Sequence, residues 1–163
     1  MTTKRLYIQE VATRDGFQNE ARFVDTEAKI ALIDHLSACG YEKIEVTSFT
    51  SPKAIPALRN AEPVMHNIVR HEGVVYTVLV PNLRGAERAL SCNVGEVNLV
   101  MSVSESHNRT NLHMTRERSF AQLRDVIRVV KETPILINAA RLLSNPLSKA
   151  LGKPVIVDNR PGG

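Results

Sequence analysis

Short runs of β-branched and other apolar residues alternate along this chain with stretches whose apolar positions recur every three or four residues. "RLYIQEVA" (5–12), "KIEVTSF" (43–49), "VVYTVLV" (74–80) and "EVNLVMSV" (96–103) read as strands. The third is apolar almost throughout, as expected of a strand buried on both faces. Between the strands the helical period takes over. Asp25 is placed to cap a helix running to about Cys39, with Ala28, Leu32, Leu36 and Cys39 on one face and Gly40 at its stop. Further helices are predicted over 60–71, with Pro63 near the start where proline is tolerated, and over 83–92. "SESHNRTNLHM" reads as a polar loop. A helix then starts at Thr115 and runs to about Lys131, with Phe120, Leu123, Ile127 and Val130 on one face.

Strand and helix alternating through such short crossovers imply right-handed βαβ units and a parallel sheet. About four units are predicted. A closed (β/α)8 barrel takes roughly 250 residues, and at least about 200. At 163 residues the α/β chain is therefore either an open doubly wound sheet or part of a barrel. The texture changes near 132–138. "TPILINAARLLSNPLSKALGKPVIVDNRPGG" reads as a helix from about Ala139 to Leu151, bent at Pro146, followed by a short strand. The chain thus divides into a body, 1–133, and a helix–strand tail, 134–163.

Composition narrows the function classes. Hydrophobic residues make up 43% and charged residues 23%, ordinary for a soluble globular protein. The formal charge of +4 is uneven, with the tail carrying +3 and the body +1. A near-neutral body with 4% aromatics and no Trp offers neither a phosphate footprint nor a stacking platform, so nucleic acid is not an expected partner. No run of about 18 apolar residues and no secretory leader is read, which makes a membrane span unexpected and a cytoplasmic setting expected. Cys39 and Cys92 lack metal-ligand spacing and read as small buried hydrophobes in a reducing compartment.

In parallel α/β folds ligands bind at the carboxyl ends of the strands. Arg14-Asp15-Gly16-Phe17-Gln18-Asn19 follows the first strand. Glu45, Thr47 and Ser48 end the second, Pro81 and Asn82 follow the third, and Ser102 to Asn111 follow the fourth. An Asp at such a rim suits a hard divalent cation, and a neighbouring Arg suits an enolate or carboxylate. Arg14-Asp15-Gly16 also fits an ordinary Asp-Gly turn with Arg in a surface ion pair. Glu45, inside an apolar strand, either pairs with Arg14 or faces solvent from an edge strand. His107 and His113 read as solvated loop histidines or as ligands.

Together, "ATRDGFQNE", "KIEVTSFTSPKAIPAL", "VLVPNLRGAERAL" and "SESHNRTNL" resemble the hydroxymethylglutaryl-CoA lyase family over residues 5–131. The resemblance implies that the body is the N-terminal half of a (β/α)8 barrel. It implies metal-dependent retro-Claisen cleavage of a 3-hydroxy-3-methylglutaryl-type acyl-CoA to acetyl-CoA and a 3-keto acid. By motif position Asp15 would be a metal ligand, Arg14 would stabilise the enolate, and Glu45 would support Arg14. Gln18, Ser48 and Asn111 would line the substrate pocket. The His-x-His pair, later Asn and Cys loop of that family have no counterpart in this sequence. A cation (Mg2+ or Mn2+) is therefore expected to be weakly held, and the open half-barrel to self-associate. A catalytically inactive fusion or truncation product is the alternative. Residues 139–163 resemble a fragment of periplasmic tricarboxylate-binding receptors of the tripartite carriers, which leaves a solute-binding module as a third reading.

Overall fold

In the computed structural model, residues 8–102 and 104–139 are described, apart from the side chains of 111 and 139. The receptor-like tail falls almost wholly outside them. Five parallel strands form one sheet: β1 (Gln9–Glu10), β2 (Lys43–Ser48), β3 (Val75–Leu79), β4 (Glu96–Leu99) and β5 (Leu136–Ala139). Their spatial order is β1-β2-β3-β4-β5, the same as their order in the chain. A doubly wound sheet reverses direction at a switch point. An unbroken sequential order is instead that of a (β/α)8 barrel, and the chain is a partial one. β5 adds one strand to the four units expected, and it forms where "ILI" at 135–137 supplies an apolar run.

The helices are α1 (Thr26–Ser37), α2 (Ala61–Asn67), α3 (Leu83–Leu90), α4 (Glu105–Leu112) and α5 (Arg116–Val130). Side-chain oxygens of Asn82, Ser104 and Thr115 accept backbone N–H groups at the starts of α3, α4 and α5. Asp25 does stand before α1, but its side chain makes no capping bond. The stretch expected to be a polar loop folds instead as α4. With its mostly polar surface it has no apolar stripe to reveal it, and the Ser104 cap is what starts it.

The core lies between one sheet face and the helices. Ile44, Val46, Tyr76, Val78, Val97 and Leu99 meet Ile33, Ala86, Leu123, Val126 and Val130 there. The α5 face is as expected, except that Phe120 is only half-buried. The α1 face is not: Ala28 and Leu32 are exposed, and the buried stripe is Lys29, Ile33 and Ser37. A pattern that weighs only apolar residues misses it, because two of the three are polar and satisfied. Ser37 Oγ donates to the Ile33 carbonyl at 2.7 Å and accepts from the Tyr76 hydroxyl at 3.0 Å. Cys39, expected inside, is exposed beyond the end of α1, while Cys92 is buried. At Gly85 in α3 a Cβ atom would lie 2.8 Å from the Phe49 carbonyl oxygen, so only glycine lets α3 seat this closely on the end of β2.

Candidate active site

The second sheet face, away from the helices, is largely polar. Pairing across the strands puts Gln9 beside Lys43, Glu45 beside Thr77, Thr77 beside Glu96, and Asn98 beside Asn138. An irregularity in β2 between Glu45 and Thr47 then changes the alternation. Thr47 pairs with Val78, whose side chain enters the core, and Ser48 pairs with Leu79, two residues beyond Thr77. Without that extra residue, Glu45 and Ser48 would point to opposite faces. The bulge brings both to the polar one.

After β1 the chain makes one wide helical turn over Ala12–Gly16, with the Asp15 N–H bonded to the Val11 carbonyl at 2.7 Å. Two anchors hold the turn. The Glu10 carboxylate accepts the N–H groups of Val11 and Ala12 at 2.8 and 2.7 Å, and Thr13 Oγ1 donates to the Glu45 carbonyl at 2.9 Å. Such wide turns recur at functional sites because they set a side chain off the regular helical path.

Here that side chain is Arg14. Its Nε and Nη2 donate to Glu45 Oε2 at 2.7 and 2.6 Å, and its Nη1 donates to Asp15 Oδ1 at 2.6 Å. β1 and β2 are adjacent, so Glu45 is paired and not solvent-facing; it is 3% exposed. Of the five guanidinium N–H groups, one on Nη1 and one on Nη2 have no partner among the described residues. Those two can meet a substrate oxygen. The trio Arg14, Asp15 and Glu45 carries one positive and two negative charges, a net negative potential that favours a cation. Asp15 is exposed, and its Oδ2 is unengaged among the described residues.

Asp15 thus fits as one oxygen ligand of a hard cation. Among the described residues no group of three or more His, Cys, Asp or Glu could complete such a site. His107 belongs to α4, with Nδ1 2.8 Å from Ser102 Oγ, and His113 ends that helix in the left-handed conformation. Gln18 is half-buried and lines a cleft of about 390 Å³ with Asn19, Phe23, Ile55 and Arg59. Ser48 is buried, its Oγ 2.7 Å from Thr50 Oγ1. Asn111 falls in α4, and its side chain lies outside the described residues.

Two features escape a reading of the sequence. One is a polar ladder behind Glu45. Asn98 Nδ2 donates to Glu45 Oε1 at 2.6 Å and reaches Thr77 Oγ1 at 3.3 Å, Gln9 Nε2 also reaches Thr77 Oγ1 at 3.3 Å, and Asn138 Nδ2 donates to Asn98 Oδ1 at 3.0 Å. The signal in the sequence is an Asn at the alternate position of an apolar strand, the same pattern as at Glu45. The other is Lys29. Its Nζ donates to the Ala57 carbonyl at 2.6 Å and to Asn60 Oδ1 at 2.8 Å, and it sits over the rings of Phe23 and Phe17 at 4.8 and 5.6 Å. Lys29 therefore ties the segment after Asp15 to the one after β2.

Burial, with a smaller push from the Arg59 charge, lowers the Lys29 ammonium from its ordinary value of 10.5 to about 8. Between those two values the unfolded chain binds more protons than the folded one, so the Lys29 contribution makes stability rise with pH across that window. Melting wild type and Lys29→Met at pH 7.5 and 9.5 reads this out. The difference between them should move in favour of wild type at the higher pH. A difference that stays flat contradicts the burial of a charged Lys29.

A family model described as HMGL-like matches residues 5–140. The Bacillus subtilis protein hydroxymethylglutaryl-CoA lyase YngG is 47% identical over 123 residues, covering 76% of this chain and 41% of that protein. The mitochondrial hydroxymethylglutaryl-CoA lyase of Macaca fascicularis is 37% identical over 134 residues, covering 82% and 41%. Among solved structures, an HMG-CoA lyase from Acinetobacter baumannii in complex with coenzyme A and 3-methylmalate superposes with a TM-score of 0.80 at 45% identity, covering 82% of this chain and 44% of that one. The Bacillus subtilis HMG-CoA lyase structure gives 0.81 at 43% identity, covering 83% and 46%. The chain spans about two fifths of the length of the curated relatives it matches.

Proposed function

Because the chain belongs to the HMGL-like family, we propose that it carries the first corner of a metal-dependent carbon–carbon lyase site. Its substrate class is a 3-hydroxy-3-methylglutaryl-type CoA thioester, cleaved to acetyl-CoA and a 3-keto acid such as acetoacetate. The observation that carries the reading is the Arg14 guanidinium, held by Glu45 and flanked by Asp15 at the carboxyl end of β1. The CoA and 3-methylmalate bound by the Acinetobacter relative support the substrate class.

In the reaction a base removes the proton of the 3-hydroxyl, the bond between C2 and C3 breaks as that oxygen becomes the ketone, and the electron pair moves onto the thioester carbonyl oxygen as an enolate. Protonation at C2 completes acetyl-CoA. Arg14 donates its two remaining N–H groups to the developing oxyanion, where one such donor is worth about 10² to 10³ in rate. Glu45 fixes the guanidinium, and keeping its own charge inside the sheet requires that partner. Gln18 and Ser48 border the acyl chain, and Asn111 is assigned to the same pocket. A divalent cation, Mg2+ or Mn2+, held in part by Asp15, would chelate the substrate hydroxyl and carboxylate and acidify the hydroxyl.

The same reading divides the chain into a barrel part and a tail, with the boundary drawn after β5 rather than at 133/134, because β5 pairs with β4 in the barrel sheet. It sets the chain in the cytoplasm and has it self-associate through the open sheet. Among the described residues β1 and β5 stand at the ends of that sheet, and no helix is long and apolar enough to cross a membrane. Asp15 as the single carboxylate available to a cation among the described residues favours a second reading, a catalytically inactive product. Incubating the full chain with 3-hydroxy-3-methylglutaryl-CoA and Mg2+ or Mn2+ separates the two. The lyase reading expects acetyl-CoA and acetoacetate in equal amounts, abolished by a chelator. No product at any protein concentration supports the inactive one.

A further inference from the structure

We propose that Asn98 is a positioning residue, holding Glu45 so that Glu45 can hold Arg14; its catalytic meaning rests on the lyase reading above. Glu45 has two oxygens and two kinds of partner. Oε2 takes both bonds from Arg14, at 2.7 and 2.6 Å, and Oε1 takes the Asn98 amide at 2.6 Å. A carboxylate held from one oxygen can still swing about its Cγ–Cδ bond. Held from both, its plane is fixed, and so is the fork of N–H groups that Arg14 presents.

The amide orientation follows from the chemistry. An ionised Glu45 only accepts, so Asn98 must turn Nδ2 toward it, and Oδ1 is then left to accept from Asn138 Nδ2 at 3.0 Å. The second Nδ2 hydrogen reaches Thr77 Oγ1 at 3.3 Å. Asn98 is therefore locked in its turn by β3 and β5. It is 8% exposed, so water does not readily replace the bond.

A neutral donor suits this role. Lys or Arg at 98 would compete with Arg14 for the Glu45 charge. An amide fixes the carboxylate and leaves its full charge to Arg14, through a charge-assisted bond of the short kind. Small losses of such order are costly, since a 1 Å misplacement of a reacting group lowers rates by about 10²-fold.

The test follows the Arg14 Nε–H by NMR in the 15N-labelled full chain, with cleavage of 3-hydroxy-3-methylglutaryl-CoA measured on the same samples. Asn98→Leu keeps volume and removes the donor. Asn98→Asp keeps shape and places a like charge beside Glu45. Both should raise solvent exchange of the Arg14 Nε–H by about tenfold or more, the scale of one charge-assisted bond. Val130→Ala, a buried change in α5, should leave that exchange within twofold although it lowers stability. Turnover in the Asn98 variants should fall about 10- to 100-fold through kcat, with KM shifting little. Exchange within twofold of wild type in both Asn98 variants overturns the positioning role, whatever the turnover. Faster exchange in those variants, together with a wild type that cleaves nothing, leaves the positioning intact and overturns the lyase reading.

Discussion

On the proposed lyase reading, Arg14→Gln is expected to lower cleavage of the CoA thioester by about 10³-fold or more, because it removes the only cation bonded to Glu45 among the described residues and both donors assigned to the enolate oxygen. It should also cost stability. The Glu45 side chain is 4% exposed, and a buried carboxylate stripped of its cation loses about 3 kcal/mol or more, softened here by the bond from Asn98. A second substitution separates the two effects. Adding Glu45→Gln neutralises the stranded charge, so the double variant should regain most of the lost stability and none of the activity. Urea unfolding and turnover on the same three proteins decide it. Turnover within tenfold of wild type in Arg14→Gln would remove Arg14 from the mechanism.

The second large effect is at Phe49→Ala. Phe49 is 1% exposed and follows Ser48 at the end of β2, with its carbonyl facing Gly85 and its ring 5.4 Å from the Arg88 guanidinium. Arg88 in turn donates to both oxygens of Glu62, tying α3 to α2 over the same ring. Removing a buried phenyl group costs about 3–5 kcal/mol, a large share of the 5–15 kcal/mol that holds a typical domain. The expected result is a matching fall in urea-derived stability at unchanged m-value. A fall below about 1 kcal/mol would mean that the site collapses without a cavity, and that the α3 seat does not depend on the ring.

The elements that could be read from the sequence are those with a strong period and a satisfied apolar face. β2 and β3 and the α5 stripe are cases in point, and the Arg14–Glu45 pairing follows from the adjacency of β1 and β2. What could not be read depends on polar groups whose satisfaction is tertiary. Lys29 and Ser37 turn the buried face of α1 by one position, because their partners lie on other segments. α4 carries almost no apolar signal and is recognisable only by its cap. The bulge that turns Ser48 to the face of Glu45 leaves no mark in "KIEVTS", where strict alternation would separate the two residues. Asn98 has its partners on β2 and β5, so nothing in "EVNL" marks its role. At the Arg14 corner, motif position singles out Arg14, Asp15 and Glu45, while the distances between them come from the fold.

On the proposed reading, substrate and cation meet at the corner built by Arg14 and Asp15. Paramagnetic broadening locates that corner without requiring turnover. Mn2+ is added to the 15N-labelled chain together with 3-hydroxy-3-methylglutaryl-CoA, and the amide signals are followed. Arg14 to Gln18 and Thr47 to Ser48 should broaden first, and Asp15→Asn should abolish this. Broadening centred elsewhere, or unchanged by Asp15→Asn, would contradict that reading.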